Sequence, residues 1–249
     1  MKSKPSWLSI SLLLALGLTA LAVPVTLSSN NTAVAQTGSN PIVTENQNAG
    51  TGGWQLYQSG FTVSNDATGQ IQGYASSTSV NKGDQLAFYV SVNPAQTFRM
   101  DIYRMGYYGG NGGRLMQSVT GLNGIKQQAC PMDATTGLVE CKWTQSYLLT
   151  VPTTWTTGVY VVKLTNAQNY QNIITFVLRD DSRVADFLYQ QPVLTYAAYN
   201  NWPAGTSTGK SLYAYNSSGA NTIKGSAAAV KVSLDRPQFG QFRDRKSVV

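Results

Sequence analysis

Histidine is missing from all 249 residues. Its absence removes the usual general base at neutral pH and the commonest metal ligand. Any catalysis must rest on carboxylates, Tyr, Lys, Ser/Thr or Cys. Charge is scarce too, at 12% of residues. The basic residues are scattered, with no run and no interleaved aromatics, so a nucleic-acid footprint is excluded. Only two cysteines are present, Cys130 and Cys141. Two thiols without an imidazole argue against zinc. In an exported chain they read as a disulfide closing a short loop around Pro131 and Gly137. Beyond the N-terminus no apolar run is long enough to cross a bilayer.

The N-terminus carries an export signal over residues 1–35. Lys2 and Lys4 precede the apolar stretch Leu8 to Val25, and Ala33-Val34-Ala35 before Gln36 forms a small-x-small cleavage site. The expected location is secreted, periplasmic or cell-surface. Leu8–Leu27 could just span a bilayer, which leaves an uncleaved anchor as the alternative. At the other end, Asp244–Val249 matches the translation of a common sequencing-library adapter and is read as an artefact. Between these ends, Gln36–Arg243 holds fourteen Lys and Arg against ten Asp and Glu, a balance of +4 instead of the formal +7. That level of charge serves solubility.

Gly, Ser, Thr, Asn and Tyr are abundant, the profile of an extracellular β-rich protein. Residues 36–53 are polar and aperiodic and read as a linker. Period-2 alternation then begins. Leu86, Phe88, Val90 and Val92 alternate with Gln85, Ala87, Tyr89 and Ser91, and Phe98, Met100 and Ile102 alternate with Arg99, Asp101 and Tyr103. Further strands are expected at Ile71–Ala75, Leu115–Val119, Ser146–Val151, Val159–Thr165 and Ile173–Leu178, the last apolar on both faces and hence central. Short strands at regular spacing, without an amphipathic helix, predict a mainly β fold. The expected form is an antiparallel, immunoglobulin-like β-sandwich over residues 54–179. Arg179-Asp180-Asp181-Ser182-Arg183 reads as a solvated, ion-paired hinge. Residues 184–243 then read as the truncated start of an α/β domain: a strand at Ala185–Tyr189, an aromatic loop at Tyr196–Pro203 and a strand at Val230–Ser233.

Several motifs occur in order: Ile102-Tyr103-Arg104-Met105-Gly106-Tyr107-Tyr108-Gly109-Gly110, Gly137-Leu138-Val139-Glu140-Cys141, Ser211-Leu212-Tyr213 and Ser233-Leu234-Asp235-Arg236-Pro237. Together they resemble the N,N-dimethylformamidase large (β) subunit-like family, from about Glu45 to Pro237. The resemblance implies a β-sandwich followed by a glutamine amidotransferase-like α/β domain. It also implies iron held by two Tyr phenolates and one Glu, and hydrolysis of a formamide, a small-molecule amide, to amine and formate. Hard anionic oxygens suit a hard ferric ion, and such a metal can polarise an amide carbonyl without help from His. A small partner subunit or self-association belongs to the same expectation, and no membrane partner remains once the signal is removed.

Carried over residue by residue, the resemblance matches Tyr199 to the first phenolate ligand, with Tyr196 as runner-up. The family tends to have Tyr directly after Arg-Pro, and Gln238 stands there in this chain. The Glu-bearing motif has no counterpart. No catalytic residue is assigned, and the polypeptide is expected to be inactive alone. Asp235-Arg236-Pro237 reads as a strand exit. The Gly106–Gly113 stretch lacks the GK[ST] ending of a phosphate loop and reads as an irregular hairpin connection. A rival function is a non-catalytic β-sandwich module binding glycan or protein through Tyr57, Tyr74, Tyr107, Tyr108 and Trp143. It requires those rings to be exposed on one face.

Overall fold

The computed structural model describes residues 40–185, 187–204, 208–213 and 228–238. The expected export signal over residues 1–35 and Asp244–Val249 lie outside the described residues. The elements are α1 (Pro41–Asn46), β1 (Thr62–Val63), β2 (Ile71–Ala75), β3 (Ser79–Asn81), β4 (Gln85–Val92), β5 (Gln96–Met105), β6 (Gly113–Gly124), β7 (Tyr147–Thr150), β8 (Gly158–Asn166), β9 (Tyr170–Arg179) and α2 (Val193–Tyr199). Among the described residues, no helix is long and apolar enough to cross a membrane.

Two sheets form. One runs β1-β9-β8-β5-β6, with β3 also on β9, and the other runs β2-β4-β7. Every second residue of four strands enters one core: Leu86, Phe88, Val90 and Val92 of β4, Phe98, Met100 and Ile102 of β5, Tyr160, Val162 and Leu164 of β8, and Ile174, Phe176 and Leu178 of β9. The register places Met100 beside Leu164, Ile102 beside Val162 and Tyr160 beside Phe176, so apolar side chains line up across the larger sheet. Phe88 and Phe176 meet edge to face at 6.1 Å, joining the two sheets. Each fully buried side chain of this kind contributes about 1.5–3 kcal/mol.

The expectation of purely antiparallel pairing needs correction. β1 and β3 both pair with β9 in parallel, β1 at Tyr170–Gln171 and β3 at Val177–Arg179. Two very short strands thus cap the two ends of one β9 edge, and a mixed sheet results. They escape periodicity because two or three residues carry no alternation. β9 lies inside the larger sheet, fully paired with β8 on one edge and only at its two ends with β1 and β3 on the other, while β8 is the middle strand.

The linker reading of residues 36–53 also changes where the structure describes it. Asn40 caps α1 by accepting from the Ile42 N–H (2.9 Å), and Pro41 opens the helix. Glu45 is buried, and its Oε1 accepts from Tyr108 Oη (2.8 Å) and Arg114 Nη1 (2.8 Å). One carboxylate therefore anchors this segment to the hairpin connection Gly106–Gly112. That connection is the irregular loop expected: Gly109, Gly110 and Gly112 all take positive φ, the left-handed region that favours glycine. Ion pairs do form in the stretch expected to be a hinge, with Arg179 on Asp181 at 3.1 Å, and Lys82 from outside it on Asp180 at 2.9 Å. The Lys82 hydrogen bond holds the Asp180 carboxyl below its ordinary pKa.

The outer face of β2-β4-β7 is covered by a second apolar cluster of Tyr74, Val139, Cys141, Trp143 and Trp202. Trp202 comes from the segment after the hinge, which is therefore docked on this sheet. The strands expected at Ala185–Tyr189 and Val230–Ser233 are not strands among the described residues. No neighbouring strand supplies their ladder bonds. Phe187 and Leu188 stand 93% and 95% exposed. The aromatic stretch from Tyr196 begins inside α2 and not in a loop.

Candidate functional site

α2 positions both candidate phenols. Tyr196 is half-buried near its middle, where its hydroxyl accepts from Gln191 Nε2 (3.3 Å), and burial raises its pKa. Tyr199 ends the helix, and its ring stacks on Tyr213 with centroids 4.6 Å apart. The chain then turns at the buried Asn200, whose Oδ1 accepts from Trp202 N–H (3.1 Å). This is an Asx-type turn, in which a side-chain amide replaces a backbone acceptor.

Asn200 Nδ2 donates to Pro237 O (2.9 Å), joining this turn to the 236–238 segment. Arg236 completes the junction. Its Nη2 donates to Asn200 O (2.7 Å), and its Nη1 donates to Trp202 O and Lys210 O (3.3 Å each). Three stretches of chain converge on one guanidinium, whose planar fork suits such a role. Burial pulls the Arg236 pKa down to about 10, so it remains charged at neutral pH. Arg236 is thus a clamp, a role that the strand-exit reading of Asp235-Arg236-Pro237 missed. No local signal marks it, since Arg236 sits inside Ser233-Leu234-Asp235-Arg236-Pro237 and its carbonyl partners lie 26 to 36 residues away.

The Cys130–Cys141 disulfide forms as expected. Its loop turns on Asp133 Oδ1, which accepts from Thr136 N–H (2.7 Å) and Thr136 Oγ1 (2.8 Å). Cys141 N–H donates to Asp235 O (2.7 Å), and Val230 N–H to Thr136 O (2.8 Å), so the disulfide loop braces the same junction. Trp202 meets Trp143 edge to face at 6.1 Å, and its Nε1 donates to Gln72 Oε1.

Tyr199, the position matched to a phenolate ligand, and Gln238, which stands where the family tends to have Tyr, therefore flank a hydrogen-bonded pair, Asn200 and Pro237. The structure brings these two segments together. It does not assemble the implied iron site among the described residues. Position 238 offers a neutral amide, and no cluster of three or more His, Cys, Asp or Glu occurs among the described residues. The buried Arg236 cation also sets positive charge beside the turn, which opposes a second cation there. The residues described do not fit iron by themselves.

The rival aromatic platform fares differently. Tyr74, Tyr108 and Trp143 are buried, while Tyr57 and Tyr107 are exposed. Tyr74 Oη donates to Cys141 O (3.2 Å), and Tyr108 Oη is engaged with Glu45. Three of the five rings are structural and unavailable to a glycan.

Architecture and junction together define a mainly β protein with a clamped aromatic segment on one sheet. The family model described as "N,N-dimethylformamidase beta subunit-like, C-terminal" matches residues 99–248, more than half of the chain, and the chain belongs to that family. No curated protein matches it. Solved structures with some likeness include an uncharacterized protein from Bacillus anthracis str. Ames, at 9% identity over 40% of this chain and 75% of that one, with a TM-score of 0.23. An alkylpurine DNA glycosylase from Pseudomonas fluorescens shares 15% identity over 44% of this chain and 30% of its own, with a TM-score of 0.25. A superoxide reductase from Ignicoccus hospitalis shares 9% over 44% and 80%, at TM-score 0.25. Likenesses this loose carry no argument about fold or activity.

Proposed function

We propose that this chain is an exported, dimethylformamidase-like subunit module serving hydrolysis of a linear, non-peptide C–N amide bond, and that it does not turn over substrate alone. Family membership supports the hydrolase reading. The single observation that carries the site is the Arg236 and Asn200 junction, which fixes the Tyr199 turn against positions 236–238. Within this reading, Tyr199 is the residue of this chain that would serve as a phenolate donor to iron. Its part is positional: α2 and the Tyr213 stack orient the phenol, and the clamp fixes the turn that follows. The remaining donors come from residues outside the junction or from a partner subunit. The two layers are read as an immunoglobulin-like sandwich, with residues 184–243 as the opening of an α/β unit. The disulfide supports an oxidising compartment and hence export.

The test combines metal content with amine release. The chain alone, loaded with ferric ion and given N,N-dimethylformamide, should retain no stoichiometric iron and release no dimethylamine. Gln238→Tyr supplies the missing phenol and should raise iron retention, with a phenolate-to-iron absorption in the visible that Tyr199→Phe removes. Dimethylamine release by the unaltered chain, indifferent to Tyr199→Phe, would refute the proposal.

A further inference from the structure

Arg99 lies on β5 between Phe98 and Met100, which both turn into the core, so its side chain stands on the outer face of the larger sheet. Its Nε lies 3.3 Å from Asp101 Oδ2, and its side chain is 43% exposed. Its Nη groups make no hydrogen bond among the described residues. Asp101 is already engaged: its Oδ1 accepts from Ser118 Oγ, and the strand register sets it beside the buried Lys163. Lys163 Nζ donates to Gly53 O and lies 5.7 Å from the centroid of the Tyr103 ring. Two cations thus share one carboxylate, and the surplus positive charge reaches solvent through the Arg99 fork.

That fork borders a groove of about 280 Å³ over the ends of β5 and β8, with no acidic residue in its wall. The volume lies near the lower end of the roughly 300–1,000 Å³ typical of small-molecule sites. Phe61 forms an apolar side of the groove, held by the bond from Thr62 N–H to Asn169 O (3.1 Å). Thr97, Thr120 and Asn169, all exposed, place hydroxyl and amide groups around it.

We propose that this groove binds a carboxylate-bearing saccharide unit. The carboxylate takes the two Nη groups of Arg99, the sugar hydroxyls meet Thr97, Thr120 and Asn169, and the C–H face of the ring lies on Phe61. A neutral sugar would leave the guanidinium unmet, and a bare aliphatic carboxylate would leave the hydroxyl rim and the Phe61 wall unused. None of these residues belongs to the Tyr199 junction or to the five-ring platform, so the proposal is independent of the amide-hydrolase reading.

The experiment is calorimetric titration of the full chain, with amide chemical shifts followed in parallel, using cellobiouronate, its methyl ester, cellobiose and acetate. The ester keeps the shape of the acid and removes its charge. Cellobiouronate should bind at one site and shift the amides of Arg99, Thr120 and Ala167. The ester, cellobiose and acetate should each bind about ten-fold more weakly or less tightly still. Added salt should weaken the acid and leave the ester unchanged. Arg99→Gln should raise the Kd for the acid about ten-fold or more, and Arg99→Lys, which keeps the charge without the fork, should fall between. Should Arg99→Gln fail to fold, Phe61→Ala and Thr120→Val leave the ion pair intact and should each raise Kd several-fold. Equal affinity for acid and ester, acetate bound as tightly as cellobiouronate, shifts confined to amides outside the groove, or no binding of the acid would each overturn the proposal.

Discussion

Phe176 and Arg236 each sit at the centre of a region, and the contrast between them separates how the two regions are held. Around Phe176, apolar side chains of β4, β5, β8 and β9 interdigitate, and ladder hydrogen bonds satisfy the backbone. Around Arg236 no strand ladder occurs among the described residues. The segments near 200, 210 and 236 are joined by side chains donating to main-chain carbonyls, with Trp202 as the apolar anchor. The first arrangement spreads stability over many contacts of similar size. The second concentrates it in three residues, and so it should open locally while the core stays intact.

The comparison breaks most visibly at the core. Phe176→Ala should cost about 3–5 kcal/mol in denaturant unfolding and lower the midpoint for the whole molecule. Arg236→Met should cost on the order of 2–4 kcal/mol, because three carbonyls lose a charged donor. That loss should appear as new proteolytic sensitivity near residues 200–213, with the midpoint of the core little changed. Removing the disulfide with Cys130→Ser and Cys141→Ser should cost about 3 kcal/mol at most, since the closed loop is short. Its effect should fall on the junction that Cys141 and Thr136 brace, read as quenching or exposure of Trp202 fluorescence.

The smallest effect is alkaline. Burial pushes Tyr74, beside the junction, and Tyr108, on the Gly106–Gly112 connection, up to about 12. Their folded pKa values lie above the unfolded value near 10. The stability they contribute is fully present below about pH 10 and falls as pH rises through 12. Phenolate absorbance followed together with circular dichroism should show ionisation coinciding with unfolding. Ionisation of both rings well below pH 12 in a folded chain would count against their burial.

The same contrast governs what could be seen in the sequence. Alternation located β2 and β4 to the residue, and β5, β8 and β9 within a few, because a half-buried strand writes its period into its side chains. α1 and α2 were missed because six or seven residues complete barely two turns, too few to show a helical period. Glu45 looked like a linker residue, and only its bonds to Tyr108 and Arg114 make it an anchor. At the candidate site, resemblance marked Tyr199 and position 238, and the disulfide followed from composition. The clamp was illegible, since nothing local says that an arginine will be buried against carbonyls 26 to 36 residues away.

Amide hydrogen exchange on the full chain probes the junction most directly. The account predicts slow exchange at Cys141, Leu212 and Ala229, whose N–H groups donate to Asp235, Ala198 and Ser211, and collapse of that protection in Arg236→Met. Exchange at these amides as fast as in an unstructured peptide, with β4 and β8 still protected, would contradict it.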